Sequence, residues 1–475
     1  MRSFESLSPR AVHARRTLTL ALAATTLVCA AANAGAQARG RVAQETTVLL
    51  VSDLHFDPFT AGASVVKTLR ATPTTQWARV LAAASTDTAP SAYGSDSNYP
   101  LLVSAAAAMR QAVPHPAFAV ITGDFLGHDF EEKYDSVFAG TPYSGGAAAF
   151  ADSTMAFMAR WMGSVVPEDV PVYPSIGNND SGCNDYGMDT QFQRSAARSW
   201  ARLAQRGGGA PGFVAAFDSG GYYTARPPKA NVTLVMMNDI YWSRSYDAAC
   251  GPDRGPRELQ WLAGVLGATR AAGGRAWLAA HIPPGVDIYS SMKNPANPTL
   301  MLTPAYVAPF DSLVRANAGV IALQVTGHTH MSEFRVYTTG ADSGVPDLGV
   351  PAVSPVFGNN PGFVSLRLGP GGDVLDYAAY AFVAASGGAA QRWTTLWSFD
   401  ALYRQQAVTG AAFIAAASLI AGDPSVRATW QTNYVGGRTG QNPTSANWKN
   451  YWCAIQNIEG PTYAACMQGS PPAAP

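Results

Sequence analysis

Five short apolar runs in this chain each end in side chains that can bind a metal ion. The first run, residues 47–51, is apolar and β-branched as in a buried strand, and Asp53 and His55 follow it closely. Because residues two apart in an extended chain point the same way, both side chains can reach one point beyond the end of the strand. A single D-x-H sequence is more often a polar loop than a metal site, so its meaning depends on whether the pattern recurs.

The pattern recurs in four further apolar runs, whose polar ends include residues 124, 178, 281 and 328–330. In open α/β sheets, functional sites form outside the carboxyl ends of the strands. Seven ligands exceed the need of one tetrahedral ion, but they suit two ions that share a bridging carboxylate. The predicted ligands are Asp53, His55, Asp124, Asn178, His281, His328 and His330.

The distribution of histidine supports this interpretation. The chain has seven histidines, and one of them, His13, lies near the amino terminus. Of the other six, four are proposed ligands, and a fifth, His128, follows Asp124 by four positions. Only His115, between two prolines, lies outside the motifs, and we interpret it as a loop residue. Random scatter does not produce such clustering, which therefore predicts an active site.

The five blocks resemble, in order, those of the calcineurin-like metallophosphoesterases. These blocks are D-x-H at 53–55, G-D at 123–124, G-N-x-D at 177–180, H at 281 and G-H-x-H at 327–330. The resemblance is closer to one branch, acid sphingomyelinase and the sphingomyelinase-like phosphodiesterases. The stretches that carry it are DLHFDPF (53–59), YGSDSNYP (93–100), TGDFLGHD (122–129), AHIPPG (280–285) and SPVFGNNPGF (354–363). The resemblance runs from about residue 48 to about residue 468.

This resemblance implies an α/β fold with two stacked mixed β-sheets flanked by helices, a four-layer sandwich, over residues 46–385. Residues 390–468 are rich in aromatic side chains, and we predict a helical C-terminal subdomain packed on the core. A lipid-facing patch is the alternative interpretation of these aromatic residues, with core packing favoured. Residues 469–475 are predicted to be disordered.

Apolar patterns predict the remaining elements. We interpret residues 61–100 as a long surface segment with a short helix at 75–84. Further helices are predicted at 101–112, 147–166, 190–204, 257–272 and 305–316, strands of a second sheet at 222–225 and 232–238, and a closing hairpin at 362–368 and 374–382.

Residues 1–34 have the features of a signal peptide. A basic beginning is followed by the apolar residues 17–32 and by an Ala-Asn-Ala cleavage site at 32–34. The segment is too short and too rich in Ala and Thr to favour a permanent membrane span. We therefore expect a secreted or periplasmic protein. Only about twenty residues separate the cleavage site from the first metal motif, so we expect no saposin-like domain there.

Four of the five cysteines follow this segment. An even number in an exported protein predicts disulfides. Cys183 and Cys250 could pair and join two loops of the active site, although spacing alone does not fix the pairing. Cys453 and Cys466 match a C-terminal pair in the resembled branch.

Charge patterning limits the classes of partner. The whole chain has a net charge of zero, and removal of four Arg and one Glu with residues 1–34 leaves about −3. Nucleic-acid binding would need a basic stripe, which the sequence does not suggest. We expect a small phosphoester substrate, no nucleic-acid polymer and no transmembrane span. Weak contact of the C-terminal aromatic residues with a lipid surface is the alternative.

The resemblance assigns roles to the ligands. It implies that Asp124 bridges two ions, one held also by Asp53, His55 and His330, and the other by Asn178, His281 and His328. Zinc is the metal that the resemblance implies, while mixed nitrogen and oxygen ligands also fit iron or manganese. A hydroxide between the ions then attacks phosphorus in line. The chain is accordingly predicted to be a metal-dependent phosphoric diester hydrolase.

One position departs from the resembled family. The residue after the ligand Asn178 is usually a histidine that protonates the leaving group, but here it is Asn179, whose amide cannot deliver a proton. His128 matches a second histidine that faces the phosphate, so it is a candidate acid. Asp180 either orients a ligand histidine or caps its own loop, and the two interpretations are equally supported.

This departure shapes the substrate hypotheses. An enzyme without the usual acid favours a leaving group that needs no proton, such as a soluble nucleotide or another acidic phosphodiester. The alternatives are a sphingomyelin or phospholipid phosphodiesterase, and a secreted binding protein that keeps its metals with little turnover. A structural surface protein would have no use for clustered histidines.

Overall fold

The structure is a computed structural model that describes residues 46–84, 89–138, 146–183, 185–383 and 391–469. The predicted signal peptide lies outside the described residues, and so does the predicted disordered tail apart from Gly469.

The first of two six-stranded sheets contains the amino-terminal motif strands. Its strands, numbered in chain order and given in their spatial order, are β12 (Arg392–Ser398), β11 (Val374–Val383), β10 (Gly362–Leu368), β1 (Thr46–Val51), β2 (Ala119–Ile121) and β3 (Val172–Pro174). The strands β1, β2 and β3 are mutually parallel, and the other pairings are antiparallel. The sheet is therefore mixed, with its motif strands together at one side.

The second sheet contains the other two motif strands. In spatial order its strands are β4 (Tyr223–Ala225), β5 (Thr233–Met236), β6 (Ala276–Ala279), β7 (Ile321–Thr326), β9 (Ser343–Gly349) and β8 (Phe334–Gly340). Its four central strands are parallel, while β4 and β8 are antiparallel edge strands. Parallel strands are covered on both faces, which explains why β5, β6 and β7 are mostly apolar in sequence.

Helices flank both sheets. The α-helices are α1 (Ala63–Arg70), α2 (Trp77–Ala84), α3 (Tyr99–Ala112), α4 (Phe130–Phe138), α5 (Gly146–Val165), α6 (Thr190–Ala204), α7 (Phe213–Gly220), α8 (Gly255–Ala271), α9 (Ile288–Ser291), α10 (Pro304–Ala316), α11 (Phe399–Tyr403), α12 (Gly410–Gly422), α13 (Pro424–Tyr434), α14 (Trp448–Gln456) and α15 (Gly460–Gln468). None of these helices has both the length and the apolar character needed to cross a bilayer, within the described residues.

The two sheets meet at the carboxyl ends of their strands. Ser175, directly after β3, donates a hydrogen bond of 2.6 Å to the carbonyl of Met237, directly after β5. Farther from the strand ends, the rings of Phe118 and Trp277 lie 6.0 Å apart. The predicted α/β class with two flanked mixed sheets is thus confirmed, and the strand ends of both sheets face one region.

Most elements predicted from apolar patterns are present, including α6 and β10 at their predicted bounds. Besides the helices α4, α7 and α9, three elements were not predicted, namely α1, the β8–β9 hairpin and β12. Residues 61–100 contain α1, whose Val66 and Leu69 are buried, so this part is not a plain surface segment. The β8–β9 hairpin was missed because the buried polar residues Arg335 and Asp347 interrupt its apolar pattern.

The third missed element is β12, an edge strand that extends the first sheet. It lies within residues 390–468, which we predicted to be helical, and α11 to α15 follow it. The predicted core role of the aromatic residues agrees with the burial of Phe399, Tyr403 and Trp430. Their rings pack against neighbouring helices and strands, and this packing holds the carboxyl-terminal segment in place.

A buried polar network joins the C-terminal helices to the second sheet. Arg335 of β8 donates hydrogen bonds to the carbonyls of Pro284 and Val286 and to the carboxylate of Glu333. The hydroxyl of Tyr434, in α13, donates to the same carboxylate at 2.9 Å. Because the network is buried and charged, removal of one partner would leave an unpaired ion inside the protein. The carboxyl-terminal helices are therefore fixed to the segment that follows β6.

Two disulfides are present, Cys183–Cys250 and Cys453–Cys466. The second is the pair that the resemblance implied, and the first settles the pairing that the sequence left open. Cys183–Cys250 joins the loop after β3 to the loop after β5, whose polar residues lie near the strand ends.

We predict that the Cys183→Ala/Cys250→Ala double variant loses more stability than the Cys453→Ala/Cys466→Ala variant. The first bridge closes a loop with a sequence separation of 67, against 13 for the second. Loop-closure entropy then predicts losses of about 4 and about 3 kcal/mol. Thermal unfolding of the oxidised proteins measures the difference. A larger loss of stability in the second variant would show that chain entropy is not the main contribution of these disulfides to stability.

Candidate metal centre

All seven predicted ligands lie where strands of the two sheets end. Asp53 and His55 follow β1, while Asp124 and Asn178 follow β2 and β3. From the second sheet, His281 follows β6, and the other two histidines follow β7. Their side chains form one continuous group, and six of the seven residues are buried, with His328 partly exposed.

The first half of this group is formed by Asp53, His55 and His330, whose ligand atoms lie within 4.8 Å of one another. His55 Nε2 is 3.0 Å from His330 Nε2. His330 Nε2 is 3.4 Å from a carboxylate oxygen of Asp53. One carboxylate and two imidazoles thus converge on a single point, as a transition-metal site requires.

The second half is formed by Asp124, His281 and His328, again within 4.8 Å, together with Asn178. The amide oxygen of Asn178 lies 2.9 Å from His281 Nε2 and 2.9 Å from His328 Nδ1. Asp124 Oδ2 lies 3.2 Å from His281 Nε2 and 3.3 Å from His55 Nε2 of the first half. A single carboxylate oxygen therefore reaches both halves.

The ring nitrogens of these histidines show that a cation fits between the ligands. His55 Nδ1 donates to the carbonyl of Leu126 at 3.0 Å, and His281 Nδ1 donates to the carbonyl of Thr122 at 2.7 Å. Their Nε2 atoms therefore carry lone pairs in the neutral rings. These atoms face another nitrogen or a carboxylate oxygen at close range, so a proton or a metal ion must lie between them. The donor set fits divalent ions, and the backbone partners orient both rings.

The pKa values of the ligand side chains also indicate that positive charge is needed at this site. Burial raises the pKa of Asp53, but the imidazoles of His330 and His55 outweigh it and lower the pKa to about 2. Burial lowers the pKa of His330 to about 3, so this ring is neutral and leaves Asp53 in need of another cation. Burial lowers the pKa of His55 and His281, but the charge of Asp124 outweighs it and raises them to about 9 and about 10. Two buried carboxylates thus stay ionised and require cations beside them.

The backbone at the ligands is strained. Five of the seven have a left-handed conformation, with φ of 47° at Asp53, 40° at His55, 56° at Asp124, 68° at His328 and 66° at His330. This conformation costs a residue other than glycine about 1–2 kcal/mol. Such strain persists only where the surroundings impose it, and it concentrates at functional sites.

Asp180 holds two of the strained loops together. Its buried carboxylate accepts hydrogen bonds from the backbone N–H groups of Asp124, Phe125, Leu126 and Gly177, at 2.8–3.2 Å. Burial and the charge of Asp124 raise its pKa, whereas the N–H donors oppose that rise. These contacts fit the loop-capping interpretation of Asp180, because its hydrogen bonds go to backbone and not to a ligand histidine.

Asp239 has the same function on the other sheet, and the sequence did not reveal it. Its buried carboxylate accepts from the backbone N–H of His281 at 3.2 Å and of Ile282 at 3.0 Å. Burial raises its pKa to about 6, although the charge of His281 opposes this. Asp239 therefore positions the loop that carries His281.

His128 lies against the first half of the centre. Its ring stacks on His55, with centroids 4.2 Å apart. Its Nδ1 donates to Asp96 at 2.9 Å, and its backbone N–H donates to the second oxygen of the same carboxylate at 2.8 Å. Lys133 donates to Asp96 at 3.2 Å and to Asp57 at 2.9 Å.

Asp96 is a second site residue that the sequence analysis missed. It lies in the stretch YGSDSNYP, which carried the resemblance, but His128 lies 32 residues farther along the chain. Burial raises the pKa of Asp96, but the hydrogen bond from His128 and neighbouring positive charges outweigh it and lower the pKa to about 2. Asp96 is thus an ionised carboxylate that holds the imidazole of His128.

Asn179 turns its side chain towards the metal centre. Its backbone N–H and its amide Nδ2 donate to the two oxygens of Asp124, at 2.8 and 3.0 Å. Asn179 and His128 both line an adjoining pocket of about 330 Å³. The other polar residues of this pocket include four carboxylates, those of Asp129, Glu131, Glu132 and Asp185.

The rim of the centre contains an exposed aromatic ring. Phe357 is 57% exposed, and its ring centroid lies 4.5 Å from that of His330 and 5.7 Å from that of His128. An exposed ring next to a buried polar site provides an apolar surface for part of a bound molecule.

Comparison with known proteins identifies phosphodiesterases. The acid sphingomyelinase-like phosphodiesterase 3b of Mus musculus is 25% identical over 399 residues, which are 79% of this chain and 81% of that protein. The protein of the same name from Homo sapiens is 27% identical over 293 residues, 60% of this chain and 58% of its own length. The sphingomyelin phosphodiesterase of Bos taurus is 27% identical over 44% of this chain and 33% of its own length.

No family model matches the chain. Among solved structures, a dimetal phosphatase from Danio rerio has 13% sequence identity and a TM-score of 0.38, and covers 74% of this chain and 98% of its own. The curated relatives confirm the predicted resemblance to the sphingomyelinase-like phosphodiesterases. They also confirm the predicted class, a metal-dependent phosphodiester hydrolase.

We predict that Asp180→Ala lowers the thermal midpoint strongly, because four N–H groups in a buried position lose their acceptor. Each buried donor without a partner costs about 1–3 kcal/mol. Asp180→Asn keeps one acceptor oxygen and should lose less. The exposed Asp135→Ala on α4 is the matched control. Equal midpoints for Asp180→Ala and the control would show that the loops do not depend on Asp180.

Proposed function

We propose that this chain, a relative of the sphingomyelinase-like phosphodiesterases, is an exported enzyme that hydrolyses a small phosphodiester at a dinuclear metal centre. The observation that carries the proposal is the position of Asp124 Oδ2, 3.3 Å from His55 Nε2 and 3.2 Å from His281 Nε2. A shared carboxylate of this kind is the basis of two-metal sites. The two disulfides support export, because such bonds persist in oxidising compartments.

In this proposal Asp53, His55 and His330 hold one ion, Asn178, His281 and His328 hold the other, and Asp124 binds both. Zinc fits the mixture of imidazole and carboxylate ligands, as do iron and manganese. When bound, a pair of divalent ions supplies an activated water and stabilises charge on the phosphoryl oxygens. The neutral Asn178 keeps the negative charge of the ligand set low.

The residues around the centre are suited to bind and orient a phosphodiester. Asp96 accepts the Nδ1 proton of His128, so Nε2 is the nitrogen that remains to contact a substrate. The ring is held on its other side by stacking on His55. In its protonated form, the fixed ring of His128 can therefore donate from Nε2 to a phosphoryl oxygen or act as an acid. Asn179 can donate hydrogen bonds but no proton.

The negative charge of the pocket limits which substrates fit it. Its four carboxylates would repel a nucleoside polyphosphate and attract a cationic group. A soluble diester with a cationic group on one side therefore fits better than ATP. The exposed Phe357 supports a second candidate, a lipid diester such as sphingomyelin, since it offers an apolar contact at the rim. A binding protein with little turnover is the third, favoured by Asn179 in the place of the usual acid.

Metal analysis combined with a substrate panel tests this proposal. The panel contains bis-p-nitrophenyl phosphate, CDP-choline, ATP and sphingomyelin in detergent. We expect two divalent ions per chain and turnover of the first two substrates above that of ATP. If sphingomyelin alone is turned over, the lipid diester replaces the soluble cationic diester as the favoured substrate. Two bound ions without any turnover would favour a binding protein.

We predict that Asp124→Asn abolishes turnover and lowers the metal content. The loss should reach at least about 10²-fold, because both ions lose a charged ligand. Elemental analysis and bis-p-nitrophenyl phosphate hydrolysis provide the measurements, with the exposed Asp135→Asn as a charge-matched control. A variant that keeps two ions per chain and its full rate would remove Asp124 from the bridging role.

We predict that Asn179→His raises turnover of a choline-type diester and barely changes turnover of a nitrophenyl diester. An alkoxide leaving group needs a proton, and general acid catalysis contributes about 10²–10⁴-fold. A nitrophenolate leaves without one. The ratio of the two rates is the measurement. An equal effect on both substrates, or none on either, would exclude an acid role for this position.

The same ratio tests His128 and Asp96. If His128 is the acid, His128→Ala selectively slows the diester with the poor leaving group. Asp96→Asn should cause a smaller loss in the same direction, because the ring keeps its stacking on His55 but loses its carboxylate partner. An unselective loss in His128→Ala would make this residue a donor that positions the phosphate.

A further inference from the structure

A groove far richer in arginine than the rest of the surface lies between α5 and α6. Its volume is about 1040 Å³. Arg160 of α5 lines it, with Arg194, Arg198 and Arg202 of α6 and Arg206 directly after that helix. The chain has only 32 Lys and Arg in 475 residues, so five arginines in one groove are a strong local concentration.

The spacing of these arginines makes them a row. Four of them recur every fourth residue from 194 to 206, which places them on one side of α6 and the turn after it. At 1.5 Å per residue this row is about 18 Å long. The sequence analysis predicted the helix at 190–204 but no basic stripe, because the groove exists only where this helix packs beside α5 and its Arg160.

The row is unfavourable for the isolated protein. Like charges at i and i+4 on a helix destabilise it by about 0.2–0.5 kcal/mol per pair. Arg202 also opposes the charge of Arg206, whose pKa is lowered by burial and by this neighbour. Among the described residues that line the groove, the carboxylates are those of Asp152 and Glu168. Asp218 forms an ion pair of 3.2 Å with Arg194 from outside it.

Part of the row is held in place before any ligand binds. Arg206 Nη1 donates to the carbonyls of Pro167 and Val170, at 3.1 and 2.8 Å. Arg198 Nε donates to the carbonyl of Arg194, one turn earlier, at 3.2 Å. Their remaining N–H groups stay available for an anion, since guanidinium has five donors.

The residues that line the groove favour some classes of polyanion over others. Its described lining residues include no aromatic side chain on which a base could stack, which disfavours single-stranded nucleic acid. Its floor contains the short side chains of Ala156, Ala159 and Gly163 and offers few polar groups for sugar hydroxyls. The concave shape suits a thin chain better than a flat membrane surface. A chain of closely spaced phosphates places one negative group opposite each arginine.

We propose that this groove is a binding site for a linear chain of phosphate groups, with inorganic polyphosphate as the ligand. The inference goes beyond the proposed phosphodiesterase activity and does not depend on it. Guanidinium groups bind phosphate through paired, charge-assisted hydrogen bonds, and the row supplies several along one line. Ser199 adds a hydroxyl between the arginines, whereas the hydroxyl of Ser195 is hydrogen-bonded to Asp152.

The test is binding of fluorescently labelled polyphosphate by the full chain, measured by anisotropy over a range of salt concentrations. We expect saturable binding that weakens as salt increases, because phosphate contacts release counterions. Arg198→Glu/Arg202→Glu should weaken binding by about tenfold or more, and Arg198→Gln/Arg202→Gln by less. Turnover of bis-p-nitrophenyl phosphate should not change in either variant, because the groove is separate from the metal centre.

The control is Arg257→Glu/Arg392→Glu, which makes the same charge change at two exposed arginines on α8 and β12. We expect it to alter binding by less than about twofold, as non-specific attraction alone would. The proposal is overturned by an equal loss in this control, by absence of saturable binding, or by tighter binding of oligothymidylate or heparin than of polyphosphate.

Discussion

The structure depends on two carboxylates, Asp53 and Asp124, that are buried at the point where two sheets meet. Buried carboxylates stay ionised only beside positive charge, and here His55 and His281, whose pKa values are raised, lie 3.2–3.7 Å from them. The arrangement requires strands from both sheets to end at the same place. The strained backbone at the ligands, the oriented imidazoles of His55 and His281 and the packing of one sheet on the other keep these two groups next to their partners.

The surroundings impose this geometry through hydrogen bonds to backbone. Asp180 ties the loops after β2 and β3, and Asp239 ties the loop after β6, so each sheet contributes its own buried acceptor. Gly177 allows the first of these contacts, because a Cβ atom there would lie 2.1 Å from Asp124 Oδ1. Five ligands have a left-handed backbone, and backbone hydrogen bonds also hold the other loops, such as those from Asp53 N–H to the Gly123 carbonyl and from Ala352 N–H to the His330 carbonyl.

The sequence predicted the structural features that depend on a local pattern of residues. Apolar runs with polar ends located β1, β2, β3, β6 and β7 and all seven residues of the group, because a buried parallel strand and its terminal side chains adjoin in the chain. It did not predict β8 and β9, where Arg335 and Asp347 are buried only because distant partners satisfy them. It also missed Asp96, Asp239 and the arginine groove, because the two carboxylates act on partners far along the chain and the groove requires the packing of two helices.

Although the whole chain has a net charge of zero, its surface contains one acidic site and one basic site. Four carboxylates line the pocket beside His128 and Asn179, while five arginines line the groove between α5 and α6. The helix α5 links the two, because Ala147 and Ala151 line the pocket and Asp152 and Arg160 line the groove farther along the helix. A ligand rich in phosphate is therefore attracted to the groove and repelled from the pocket, whereas a small diester with a cationic group has the opposite preference. Separation of the two sites lets one molecule hold a polyanion without blocking its metal centre.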